Sequence, residues 1–154
     1  MKKPEIKYHE SELELVFQKL ISGWEELIDF YNSEVKFDYD DPSDRLSYTD
    51  MADIAKFIVD KKKLGQTESF DIFFDNVEDL IVSGDNHVKN LIVIGLFEAI
   101  QNMGGSDIDY YKSFDKWLRN NSLQQWRQLI DYWEGTDWKE SKESAKILNK
   151  NKLK

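Results

Sequence analysis

The stretch from Ser83 to Asn102 most constrains the fold of this chain. Gly84 interrupts the apolar pattern before it, and the Asp85 carboxylate can accept the free amide hydrogens that begin a new helix. Gly104 and Gly105 then provide a stop. The apolar residues between these signals are Val88, Leu91, Ile92, Ile94, Leu96 and Phe97. They cover more than one helix face, which predicts a central helix with neighbours on several sides.

Apolar residues also recur at three- and four-residue steps before and after this stretch, a spacing typical of amphipathic helices. The predicted helices are 11–31, 49–63, 67–81, 85–102, 107–119, a sixth capped by Ser122, and a tail helix from Thr136 or Asp137. A long acidic loop with a turn at Asp41-Pro42 separates the first two, and the other connections are short. The sequence therefore predicts an all-α fold, a single domain of about six to seven antiparallel-packed helices, HEAT-like or an irregular bundle.

The length and composition fit one compact domain. A chain of 154 residues can bury a core without a disulfide or a metal, and its 14% aromatic residues supply large apolar areas. The lack of cysteine excludes a disulfide scaffold, a thiolate zinc site and a cysteine nucleophile. No secretory leader and no membrane-length apolar run is visible in the sequence. We therefore expect a soluble cytoplasmic protein without a membrane partner.

The charge is distributed unevenly along the chain. The whole chain carries −9, but residues 139–154 hold six lysines and two glutamates, a local charge of +4, so the remaining residues carry −13. Such an acidic body repels phosphate backbones and favours a basic protein partner, so we expect no direct nucleic acid binding by it. The sequence thus divides into an acidic helical domain, 1–138, and a basic C-terminal helix or tail, 139–154, partly frayed.

Groups that support catalysis are scarce. His9 and His87 each lack a second histidine at the spacing of a helical metal site, and His87 is interpreted as a helix-start residue. The Gly104-Gly105 pair is not followed by the lysine of a phosphate-binding loop. The sequence therefore predicts no catalytic residue, no cofactor and no metal, and a protein that is not an enzyme.

Glu98 is a carboxylate between apolar residues on the central helix. Three interpretations are open. It pairs with a cation or a tyrosine or tryptophan hydrogen of a neighbouring helix, because an unpaired buried charge is costly. Alternatively, it belongs to a recognition surface with Gln101 and Asn102. Catalysis is the third, and the chain lacks the Glu-x-x-His pairs that a di-metal helical bundle requires.

Acidic and aromatic residues alternate at three places outside the apolar stripes, 37–41, 107–111 and 131–138. At an interface, aromatic rings contribute buried area while carboxylates steer a basic partner. The alternative is that the tyrosines and tryptophans are half-buried with a hydrated polar end, and that the aspartates serve in turns. With Glu98, the candidate partner-binding residues are Asp38, Tyr39, Asp40, Asp41, Asp44, Asp109, Tyr110, Asp131, Glu134, Asp137 and Trp138.

The central stretch also resembles known proteins. The matching phrase is Gly84-Asp85, two residues, Val88-Lys89-Asn90-Leu91-Ile92-Val93, then Leu96-Phe97-Glu98 and Gln101-Asn102. It resembles a phrase in small bacterial all-α proteins, some of them immunity partners of secreted toxins, and it is similar to the inner helix of a HEAT-type hairpin. The resemblance implies an inhibitor that binds a cognate toxin, for instance a basic nuclease. A non-inhibitory helical scaffold or adaptor is the alternative.

Overall fold

Helices account for most of residues 5–104 and 108–135, the ranges that the computed structural model describes. The helices are α1 (Leu13–Ile21), α2 (Glu25–Phe30), α3 (Ser47–Lys63), α4 (Phe70–Ser83), α5 and α6 (Asn120–Glu134). α5 is continuous over Asn86–Asn90, a π-helical segment Leu91–Phe97, and Glu98–Gly104. Single turns of 3₁₀-helix lie at Glu10–Glu12 and Pro42–Asp44, and a π-helical turn, Tyr31–Val35, extends α2.

These ranges contain no β-strand, only one isolated parallel bridge between Tyr8 and Gly84. The predicted all-α single domain is confirmed. None of the helices described here is both long enough and apolar enough to cross a lipid bilayer.

The central helix is confirmed, and Asp85 begins it as predicted, because its Oδ1 accepts a hydrogen bond from the Val88 amide at 2.9 Å. α5 packs against α3, α4 and α6. Gly95 permits the close contact with α3, since a Cβ there would lie 3.2 Å from Met51 Cγ. Ile94 is 49% exposed, so neighbours do not cover the helix on every side.

The predicted first helix, 11–31, is wrong as a single element, because Ser22–Trp24 divides it into α1 and α2. Gly23 has φ +83°, a left-handed conformation that ends a helix. The apolar period continues across the break because both helices face one core, where Trp24 is also buried.

The predicted helix over 107–119 is also wrong where the structure describes it. Residues 110–117 form successive turns, although Tyr111, Phe114 and Trp117 are buried at the spacing that indicated a helix. The spacing therefore reported burial of the side chains and not the hydrogen-bond pattern of the backbone.

Several predicted helix starts differ from the observed ones. α3 begins at Ser47 and α4 at Phe70. α6 begins at Asn120, and the Ser122 hydroxyl accepts a hydrogen bond from the Arg119 amide at 2.8 Å instead of capping the helix as its first residue. Glu78 of α4 accepts from the amides of Asn121 and Ser122, so a neighbouring helix supplies the cap. The predicted tail helix from Thr136 or Asp137 and the basic segment 139–154 lie outside the described residues.

Candidate interaction site

The connection between α2 and α3 lies beside the start of α1. An open groove of about 390 Å³ runs between these two stretches of the chain. One wall consists of residues 10–14 and the other of residues 36–39, and Arg45 also lines the groove. The stretch Phe37–Asp44, called the acidic segment below, holds the first predicted acidic-aromatic patch. The predicted turn is present, because the Asp44 amide donates to the Asp41 carbonyl at 2.9 Å.

Arg45 attaches the acidic segment to the helices beneath it. Its Nη1 donates to Glu14 Oε2 at 2.7 Å, its Nη2 to the Tyr31 hydroxyl at 2.7 Å, and its Nε to Asp50 Oδ2 at 3.1 Å. Its guanidinium also lies 4.0 Å from the centre of the Phe17 ring. Arg45 therefore connects α1, the end of α2 and the start of α3 at one point.

The electrostatics of this network follow from burial and hydrogen bonding together. Burial disfavours the charged form of Glu14, but hydrogen bonds from Gln18, Arg45 and Tyr31 outweigh it and bring the pKa of Glu14 down to about 2. Burial is the larger effect at Asp50, where it raises the pKa in spite of Arg45. Burial likewise raises the pKa of Tyr31. Near neutral pH, Glu14 is therefore firmly ionised and Tyr31 is a neutral donor.

The residues predicted in the first patch lie on the acidic segment as one group. Asp38 and Tyr39 line the groove, and Asp40, Asp41 and Asp44 are exposed next to them. Within the described chain, the carboxylates of Asp38, Asp40 and Asp44 form no hydrogen bond or ion pair. Asp41 Oδ1 accepts from the Ser43 amide at 3.0 Å, which lowers the pKa of Asp41. This segment thus presents several carboxylates that have no competing partner there.

The second and third patches meet in the structure. The Tyr110 hydroxyl donates to Glu134 Oε1 at 3.0 Å, and burial raises the pKa of Tyr110. Asp109 accepts hydrogen bonds from the backbone amides of its own turn. It therefore serves in a turn, the alternative to a partner-binding role. Asp131 is half-buried on α6. Asp137 and Trp138 lie outside the described residues.

Glu98 has no hydrogen-bond or ion-pair partner among the residues that the structure describes, so the predicted pairing with a neighbouring helix is not found there. Its predicted companion Gln101 is buried and structural. The Gln101 amide nitrogen donates to the Trp126 carbonyl at 3.2 Å, and its amide oxygen accepts from Trp133 Nε1 at 3.1 Å. The prediction that the Gln101 side chain belongs to a recognition surface is therefore wrong.

Sequence reasoning missed the residues that organise this site, Glu14, Tyr31, Arg45 and Asp50. One signal for them was present: Arg45 directly follows an aspartate-rich stretch and precedes the start of an amphipathic helix. A cation in that position is a candidate for a structural role, because arginine can bind several acceptors at once. No cluster of histidine, aspartate and glutamate in the described ranges is arranged to hold a metal ion.

Comparison with family models gives one match, over residues 12–134, to a domain of unknown function, DUF7674. The matched range extends from the start of α1 to the end of α6 and contains the acidic segment and Arg45. Comparisons with curated proteins and with solved structures gave no match. Since the family model spans most of the sequence, the chain belongs to the DUF7674 family.

Proposed function

We propose that this chain is an acidic inhibitor, an immunity protein that neutralises a cognate bacterial toxin by binding it directly. The observation that carries the proposal is the acidic segment, where unpaired carboxylates lie beside the exposed Phe37 ring and Arg45 fixes the adjoining end of the segment. The partner we propose is a basic toxin domain, for instance a nuclease, and the proposed compartment is the cytoplasm.

The aromatic residues of the acidic segment support a protein partner. Phe37 is 67% exposed, and its ring lies 5.0 Å from the Tyr39 ring, centre to centre, in an edge-on arrangement. A large exposed ring beside a second ring is a typical anchor in protein interfaces, because both can lose apolar surface to water on binding.

The carboxylates of the acidic segment support a basic partner. Elsewhere on the described surface, many carboxylates already have cationic partners: Asp79 with Lys19, Glu26 with Lys61, Asp75 with Arg119 and Asp115 with Arg127. Asp38, Asp40 and Asp44 have none in this part of the chain. Their field is therefore available to steer a positively charged protein and to select it over a neutral one.

Arg45 supports inhibition that requires little rearrangement. Its side chain is only 11% exposed and is held by three hydrogen-bond partners, so the end of the acidic segment next to α3 is fixed before a partner arrives. Preorganised binding surfaces lose less conformational entropy on association. The resemblance of Ser83–Asn102 to immunity-type proteins is consistent with this function, and a HEAT-like arrangement of the central hairpin is part of the proposal.

The test is co-expression of this protein with the product of the adjacent gene in its source genome. We expect it to restore growth of the host and to co-purify with that product. Growth inhibition that persists despite good expression, with no complex, would refute the immunity function. A stable complex without rescue would instead favour the non-inhibitory scaffold or adaptor.

A variant pair locates the interface in the same experiment. The triple substitution Asp38→Asn, Asp40→Asn and Asp44→Asn removes the unpaired charges and keeps side-chain size. The control, Glu25→Gln, Asp29→Asn and Glu68→Gln, removes the same charge at exposed positions outside the segment. We expect the first variant to lose rescue at low expression and the control to retain it. Equal rescue by both would exclude the acidic segment from the interface.

A further inference from the structure

We infer that the groove beside α1 accepts one basic side chain, arginine or lysine, from the partner protein. The inference rests on the proposed function and adds a specific pocket to it. Whereas the acidic segment as a whole supplies a field, the groove provides a shape and a defined set of groups that one side chain can contact.

The size and lining of the groove fit a long side chain. Its volume of about 390 Å³ is near the lower end of ligand sites in proteins, which span roughly 300 to 1,000 Å³. Leu13 lines one wall, and Phe37 and Tyr39 line the other. These apolar groups can cover the methylene stem of an arginine or lysine, a mode of contact that both side chains commonly use.

The charges of the groove favour a cation at the end of that stem. Two cations, Lys36 and Arg45, also line the groove, and both are paired with Glu14. Glu10 Oε2 lies 3.2 Å from His87 Nε2. Glu12 on one wall and Asp38 on the other have no ion-pair partner among the described residues. The carboxylates that line the groove outnumber its two cations, so a cation that enters meets two free carboxylates and a net negative charge.

The same fold already binds an arginine in this manner close by. Arg45 stacks over the Phe17 ring at 4.0 Å while Glu14 and Asp50 accept its hydrogen bonds. The groove offers the same combination of aromatic face and carboxylates, with Phe37 or Tyr39 as the ring and with Glu12 and Asp38 as the acceptors. Arginine is therefore the preferred occupant, since its planar guanidinium can stack and bind carboxylates together.

The test uses the full-length protein and two small probes, N-acetyl-arginine amide and its neutral analogue N-acetyl-citrulline amide. Amide chemical shifts are followed by NMR during titration with each probe. We expect the arginine probe to shift the signals of Leu13, Phe37 and Tyr39, with binding that is about tenfold weaker for the citrulline probe. Equal shifts from both probes, or none from either, would overturn the inference.

Variants assign the binding to the groove. Glu12→Gln with Asp38→Asn should weaken arginine binding about tenfold, while the control Glu25→Gln with Asp29→Asn leaves it unchanged. Well-dispersed spectra verify that each variant is folded. If the double variant binds as tightly as the original chain, the groove is not the site.

The chain's own basic C-terminal segment is the competing occupant. Lys146→Gln, Lys150→Gln and Lys152→Gln in the full chain reduce its charge. An unchanged affinity for the arginine probe supports a partner side chain as the occupant. If the probe binds only to this variant, the groove serves the chain's own tail and the inference is overturned.

The probe titration needs no toxin, so the groove and the proposed function can fail separately. Neutralisation of a toxin by the Glu12→Gln, Asp38→Asn variant as fully as by the original chain would exclude the groove and leave the immunity function standing. Arginine binding in the groove without neutralisation of any co-expressed toxin would refute the immunity function alone.

Discussion

Arg45 connects the acidic segment to the body of the protein through contacts that a sequence pattern does not encode. It donates to Glu14, Tyr31 and Asp50, which come from three different stretches of the chain. Asp50 is 6% exposed, so it depends on this arginine to offset the cost of burying its charge. The same side chain therefore contributes to the stability of the fold and to the geometry of the proposed interface.

Replacing Arg45 with methionine tests this double role. The variant keeps an unbranched apolar stem over Phe17 but leaves Asp50 buried without its cation, so we expect the free energy of unfolding to fall by about 3 kcal/mol. Urea denaturation measures the change. The matched control, Lys56→Met, breaks the exposed Lys56–Asp60 pair and should cost less than about 1 kcal/mol. Similar losses in the two variants would contradict the account of Arg45.

Glu14 should give the network a distinct pH dependence. Its pKa in the folded protein is about 2, below the ordinary value of 4.5, so its contribution to stability is complete above about pH 4.5 and declines as the pH falls toward 2. We expect the stability difference between the original chain and Glu14→Gln to shrink between pH 5 and pH 3. Urea denaturation at several pH values measures it. A difference that stays constant, or one that grows, would contradict the lowered pKa.

At the scale of the elements, the break between α1 and α2 depends on one glycine. Gly23 has φ +83°, and a Cβ there would lie 2.8 Å from Ile72 Cγ2. The turn thus combines a left-handed backbone with a close contact to α4. Both features disfavour larger residues at this position. They also explain how one apolar stripe is divided between two helices.

Gly23→Ala should therefore destabilise the protein more than Gly65→Ala. Gly65 has a similar φ of +73°, but a Cβ there meets nothing within 4 Å. At Gly65 we expect the free energy of unfolding to fall by about 1 kcal/mol, from the backbone conformation alone. At Gly23 we expect a larger fall, because the steric contact with Ile72 is added. Thermal or urea denaturation compares the two variants. An equal loss would show that Ile72 adjusts without cost.

The sequence predicted the elements that local signals determine. Asp85 at the start of α5 is an example, because an N-cap acts within three residues of its own position. The start of α6 was misplaced because its cap comes from Glu78, more than forty residues earlier in the chain. The turns over 110–117 were taken for a helix because burial of Tyr111, Phe114 and Trp117 imitates a helical period.

The candidate site was predictable only in part, for the same reason. The acidic segment could be recognised from composition, since Asp38, Asp40 and Asp44 lie within seven consecutive residues. The groove could not, because its two walls are brought together by tertiary contacts between distant parts of the chain. The proximity of Tyr110 and Glu134 likewise depends on how the turns pack against α6.

At the scale of the whole molecule, the charge distribution determines how the proposed basic partner would approach. The chain carries −9 overall, so a basic protein is attracted over long distances before specific contacts form. Because exposed charges are screened over about 10 Å at 0.1 M salt, this attraction should depend on ionic strength. Steering by the acidic segment should therefore appear as an association rate that depends on ionic strength. Contacts made after docking would affect mainly the dissociation rate.

Association kinetics with the co-purified partner measure that dependence. For the Asp38→Asn, Asp40→Asn, Asp44→Asn variant we expect an association rate about tenfold lower at low salt and a flatter dependence on ionic strength. The control Glu25→Gln, Asp29→Asn, Glu68→Gln has the same net charge and should remain close to the original chain. Identical kinetics for the two variants would show that total charge steers the partner and that the acidic segment has no special part.

The central claim is that direct binding of this chain abolishes the activity of a basic toxin. The most direct test titrates the purified toxin with the purified protein and follows toxin activity. Our account predicts that the original chain abolishes toxin activity near one equivalent. The triple asparagine variant should inhibit the toxin more weakly, and its charge-matched control should inhibit it as fully as the original chain. A stable complex in which the toxin keeps its full activity would contradict it.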